Sequence, residues 1–132
     1  MTSTVQRASF ICGWVLIALG LIGFLISPGG LSPDPSADAS IFGIWPVNIV
    51  LSVLHLTWGV FGLASSQWHH SARNFARITA VVYLIIAIWG IITPAFLGLF
   101  PVGGNNIWLD AIIGIAMGYF GFTAREHAVA EA

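Results

Sequence analysis

The charged residues of this chain cluster in a few short stretches and leave three long intervals almost without them. Residues 8–33 hold none, residues 39–72 none, and residues 78–124 only Asp110. A bilayer's hydrocarbon core is about 30 Å thick and a helix rises about 1.5 Å per residue, so one crossing needs roughly 20 apolar residues. The first two intervals each hold one crossing. The third is long enough for two, with Thr93-Pro94 and Pro101-Val102-Gly103-Gly104-Asn105-Asn106 supplying the break. Helices are therefore expected near 8–27, 43–65, 76–97 and 106–123. Backbone groups facing lipid must be satisfied within their own segment, which demands helices, and no alternating strand pattern is seen. Only 7% of the residues are charged, against about a quarter in soluble domains, too few to clothe a water-soluble surface.

Orientation follows from the arginines. Arg7 precedes the first crossing, Arg73 and Arg77 lie between the second and third, and Arg125 follows the fourth. The opposite loops carry Asp34, Asp38 and the uncharged stretch around Gly103. The positive-inside rule then places both termini and the middle loop in the cytoplasm. The first apolar run reads as a crossing and not as a signal peptide. It is longer than the usual signal core, and the small residues Ala37 and Ala39 lie more than ten residues beyond Ile26. Cys12, the single cysteine, sits inside that crossing, so the chain has no disulfide framework.

Laid over itself at an offset of 55, the chain repeats. Gly43-Ile44-Trp45-Pro46-Val47 falls on Gly98-Leu99-Phe100-Pro101-Val102, Leu54-His55 on Leu109-Asp110, and Gly59 on Gly114. The expected fold is thus an all-α integral membrane protein: one four-transmembrane-helix bundle spanning 1–132, built from two parallel helical-hairpin repeats with a pseudo-two-fold axis along the membrane normal. The first outer loop, Ser27-Pro28-Gly29-Gly30-Leu31-Ser32-Pro33-Asp34-Pro35, is dense in residues that cannot continue a helix and reads as an irregular lid or a disordered strap.

Within the crossings, small and polar residues fall into stripes. Asn48, Ser52, His55, Gly59 and Gly62 stack on one face of the second helix. The third offers Thr79, Tyr83, Ala87 and Gly90, the fourth Asp110, Gly114, Gly118 and Gly121, and the first Gly13, Gly20 and Gly23. In lipid such stripes turn inward, because small residues let backbones approach and polar side chains seek partners away from hydrocarbon. They read first as seams of the bundle.

His55 lies near the middle of its crossing, where an ionisable group is a functional hypothesis by default. Tyr83 and Asp110 are its candidate partners. A neutral imidazole bonded to Tyr83 or a backbone carbonyl would be structural; an open ring nitrogen inside a bundle would instead suit axial ligation of haem or a chlorophyll-type pigment. Asp110 lies within about a turn of the outer interface if the fourth helix starts after Asn106, the preferred reading, and level with His55 if the repeat register rules. Trp45, Trp68 and Trp108 suit interfacial belts. Trp58 and Trp89 lie deeper and face lipid, a neighbouring protein or a pigment. His69-His70 beside Arg73 reads as a solvated turn or a lipid-headgroup contact.

No nucleotide loop, nucleophile with its base, paired-carboxylate site or zinc motif is present, so catalysis and nucleic-acid binding are not expected. The run Val47-Asn48, Leu54-His55-Leu56, Gly59, Gly62-Leu63, Ser71-Ala72-Arg73, Tyr83 and Gly98-Leu99-Phe100-Pro101 resembles a bacterial four-helix membrane family known as domain-of-unknown-function family 4383. The resemblance covers most of the chain and implies four crossings, with no activity attached. Its members tend to carry His and Asn at the positions of Leu51 and Ser52, Asp at Asn106 and His at Asp110, so that polar cluster is largely gone here. The expectation is a non-catalytic accessory subunit contacting lipids and other integral membrane subunits. The alternatives are a pigment- or haem-binding subunit using His55, and a small transport or lipid-handling protein.

Overall fold

The computed structural model describes residues 3–26 and 40–126; the first outer loop expected at 27–35 lies outside the described residues. Four helices run antiparallel in sequence: α1 (Thr4–Ile26), α2 (Ile49–Ser65), α3 (His69–Ile92) and α4 (Asn106–Thr123). Three of them, α1, α3 and α4, are long and apolar enough to cross a membrane, while α2 is a shorter apolar helix of 17 residues. α1 lies along α2 and α3 along α4, with fewer contacts between the two pairs.

The fold is not purely helical. β1 (Ser40–Ile41) pairs antiparallel with β2 (Trp45–Pro46), and β3 (Ala95–Phe96) with β4 (Phe100–Pro101). The two tight hairpins sit just before α2 and α4, at positions fifty-five apart in the chain. Each turns over two residues with positive φ, Phe42 (55°) and Gly43 (69°), then Leu97 (51°) and Gly98 (72°). The turns are closed by Ile44 N–H to the Ile41 carbonyl at 3.0 Å and Leu99 N–H to the Phe96 carbonyl at 2.8 Å. Two successive positive φ values match the twist of paired strands, the pattern of a type I′ turn.

These hairpins correct two expected boundaries. α2 begins at Ile49 and not near 43, because the left-handed pair Phe42-Gly43 cannot be helical and Asn48 supplies the cap: its side chain accepts from Leu51 N–H at 2.9 Å. α3 ends at Ile92 and not near 97, because Pro94 forces Thr93 into an extended conformation (φ −138°). At the other end α1 starts at Thr4 and α3 at His69, earlier than the apolar intervals suggested. Hydropathy marks the lipid-compatible part of a helix, whereas the hydrogen-bonded part runs on through Arg7, Arg73 and Arg77. The bounds of α4 coincide with the expected 106–123.

Polar side chains share the interior with an apolar core around Leu16, Ala76 and Val102, and many large apolar side chains stand outside. Ser9, Ser52, Asn48, Thr79 and Asn106 are buried, while Leu25, Ile91, Ile92, Ile115 and Tyr119 stand outside. Glycines set how closely the helices approach. A Cβ on Gly13 would lie 2.8 Å from the Gly59 carbonyl oxygen, and one on Gly121 would lie 2.8 Å from Arg77 N.

Candidate functional site

Most buried polar side chains in this chain hold the ends of helices and hairpins together. At the hairpin end, Asn48 Nδ2 donates to the Leu99 carbonyl at 2.7 Å and Asn105 Nδ2 to the Ile44 carbonyl at 2.9 Å. Asn106 Nδ2 bridges the Pro46 and Pro101 carbonyls at 2.8 and 3.1 Å. At the arginine end, Gln6 Nε2 donates to the Ser66 carbonyl at 3.0 Å and Ser9 Oγ to the Gly62 carbonyl at 2.7 Å, closing the last turn of α2. Arg77 Nε donates to the Gly121 carbonyl at 2.8 Å and Arg73 Nε to that of Ala124 at 3.3 Å, closing the last turn of α4. Carbonyls at a helix C-terminus lack intrahelical donors, and a cation there also complements the helix dipole.

Three buried polar side chains are not used in this way. His55 on α2, Tyr83 on α3 and Asp110 on α4 are 5%, 6% and 7% exposed. They line one cleft of about 400 Å³ between α2 and α3, floored at the hairpin end by Phe96 and Phe100 and walled by Leu51, Leu54, Trp58, Val82, Ile85 and Ile86. His55 Nδ1 is enclosed and has no hydrogen-bond partner. Among the described residues, none donates to or accepts from the side chains of His55, Tyr83 or Asp110. The His55–Tyr83 bond considered from the sequence is not formed.

The depth of Asp110 combines both sequence readings. α4 does begin at Asn106, so Asp110 stands one turn inside it, yet it is buried and shares the cleft with His55. The second hairpin contributes Phe96 and Phe100 to the lining of the same cleft.

Of the other expected site residues, Ser52 donates to the Asn48 carbonyl at 3.0 Å, and Gly59 and Gly62 face α1. Gly90 lies against the Val102 backbone and Gly114 against Leu84. Gly118 is half-buried, its Cβ position 3.3 Å from that of Ala80, and Met117 takes the buried position between Gly114 and Gly121. Trp58 and Trp89 are half-buried within the chain. Trp58 Nε1 donates to Thr79 Oγ1 at 2.9 Å, and Trp89 packs on Phe96 with ring centroids 4.8 Å apart. His69 is not part of a solvated turn: it opens α3, is buried, and its Nε2 pairs with the Arg125 carbonyl at 2.6 Å, while His70 is exposed.

His55 meets one requirement of an axial ligand, burial with a ring nitrogen open to a cleft. The other, a partner that orients the ring by accepting from its second N–H, is not supplied at Nδ1 by any described residue. Among the described residues no three His, Cys, Asp or Glu side chains converge as a metal site. The cleft was missed in the sequence because its walls are ordinary apolar residues; its three polar members were found from their depth in charge-poor intervals.

No solved structure matches the chain. A family model, Domain of unknown function (DUF4383), matches residues 6–123. The match spans all four helices and both hairpins, and the chain belongs to that family.

Proposed function

We propose that this chain is a non-catalytic accessory subunit of a bacterial inner-membrane complex, crossing the bilayer four times and acting by contact with lipids and neighbouring integral membrane subunits. The observation that carries the reading is where the buried polar groups go. Buried Asn48, Asn106, Gln6 and Ser9, with half-buried Arg73 and Arg77, hold backbone carbonyls within the chain, which makes a shape. The outward apolar faces of α1, α3 and α4 suit lipid and the transmembrane helices of neighbours alike.

In this reading α2 is the fourth crossing. Its 17 residues span about 25 Å at about 1.5 Å per residue, and the β1–β2 hairpin continues the wall toward the outer interface. The arginine end faces the cytoplasm. The two hairpin–helix units, with matching turns and matching carbonyl acceptors at Ile44 and Leu99, support descent from a duplicated helical hairpin.

The test is extraction from the native membrane in a mild detergent through a C-terminal tag, followed by sizing and subunit analysis. Large integral subunits in fixed stoichiometry are the expected result. A particle containing the tagged chain alone would refute the accessory role.

A further inference from the structure

The cleft between α2 and α3 has two properties that a plain lipid-facing groove lacks. It is lined in part by the second hairpin, with Phe96 and Phe100 stacked at 5.2 Å between centroids and 20° between planes. It also gathers three polar side chains, each more than nine-tenths buried, for which no described residue supplies a hydrogen bond. Away from water, an unpaired polar group costs about 1–3 kcal/mol; His55 Nδ1 is such a group, and Tyr83 and Asp110 line the same space. With Nδ1 enclosed, His55 Nε2 is the imidazole nitrogen left open to the cleft, and Tyr83 carries a hydroxyl from the opposite wall.

We propose that this cleft binds a flat lipophile bearing a carbonyl on a conjugated ring, the chemistry of a membrane quinone. The ring would lie among Trp58, Phe96 and Phe100 with its carbonyl accepting from His55 or Tyr83, and its tail would leave past Leu54 and Ile85, which are 41% and 52% exposed. Aromatic walls favour a flat ring by offset or edge contacts. The volume of about 400 Å³ lies within the range of small-molecule sites, roughly 300–1,000 Å³, as does the mix of apolar lining with a few convergent polar groups. An acyl chain alone would satisfy none of the three polar side chains. This binding does not depend on the accessory role, because the site is complete within one chain.

The test uses the purified full-length chain in nanodiscs of phosphatidylcholine, titrated with decylubiquinone and, separately, with decylbenzene, which has a ring and the same tail but no carbonyl. The expected result is saturable binding of one decylubiquinone per chain, with decylbenzene at least about tenfold weaker, the loss of one hydrogen bond. His55→Phe should weaken decylubiquinone by about tenfold. Leu54→Trp, which fills the mouth from a partly exposed position, should abolish binding while leaving the helical spectrum unchanged, and it serves even where His55→Phe fails to fold. Equal affinity for the two ligands, no saturable binding to the unsubstituted chain, or full binding by Leu54→Trp would each overturn the proposal. A chain that binds decylubiquinone yet extracts alone from its membrane would refute the accessory role and leave the site standing.

Discussion

Gly59→Ala should destabilise this bundle, whereas the same change at Gly118 should leave it nearly unaltered. A Cβ at residue 59 would lie 2.6 Å from the Gly13 carbonyl oxygen and 2.8 Å from both Ile17 Cγ1 and Ile17 N. Two of those three atoms belong to the α1 backbone and cannot rotate away, so the helices must separate. Overpacking of this kind costs about 1–3 kcal/mol, and the better helix propensity of alanine returns about 1 kcal/mol. The net loss is about 1 kcal/mol at the middle of that range, a factor of about 5 in the folded fraction. At residue 118 the nearest atom is Ala80 Cβ at 3.3 Å, on a half-buried face. A few tenths of an ångström suffice there, and the propensity gain cancels the strain. Reversible unfolding in mixed micelles, followed by far-ultraviolet circular dichroism, measures both variants. Equal destabilisation, or a Gly59→Ala as stable as the parent chain, would show that the α1–α2 seam is not set by this contact.

Asn106→Ala should cost about 2–4 kcal/mol, since it removes donors from two carbonyls in a buried setting; Asn105→Ala, which removes one bond at an exposed position, should cost about 1 kcal/mol or less by the same unfolding assay. Gly98→Ala should lose about 1 kcal/mol although its Cβ would meet nothing within 4 Å, because φ is +72° there and the cost is conformational; an unchanged midpoint would contradict the left-handed turn. For topology, in a Cys12→Ser background, a membrane-impermeant maleimide applied to spheroplasts should label Leu97→Cys at the hairpin end and spare Gln67→Cys at the arginine end, both positions being exposed. The reverse labelling would invert the orientation.

The stripes on α2 and α3 were legible because polar and small residues at helical spacing have one reason to be present in an apolar segment. Ser52, His55, Gly59 and Gly62 are buried on α2, and Thr79, Tyr83, Ala87 and Gly90 on α3. The hairpins were not legible as hairpins. Phe42 and Leu97 occupy left-handed positions that usually favour Asn or Gly, so the common turn signal is missing, although Gly43-Ile44-Trp45-Pro46-Val47 and its counterpart were the strongest part of the internal match. The burial of His69 was hidden for a similar reason. Its partner is the carbonyl of Arg125, and backbone acceptors leave no mark on composition.

By itself the sequence determined the number of helices, the polarity of their faces and the end that carries the arginines. Those properties follow from where charge is absent and from the 3.6-residue period, both local to the chain. Only the tertiary structure decided that Asn48 and Asn106 tie one hairpin to the other, that Met117 and not Gly118 completes the buried stripe of α4, and that His55, Tyr83 and Asp110 face a common space. Contacts of that kind depend on the distance between α2 and α3, across the two pairs α1–α2 and α3–α4 whose own seams the glycines close. That distance is a property of the assembled helices, and no single segment contains it.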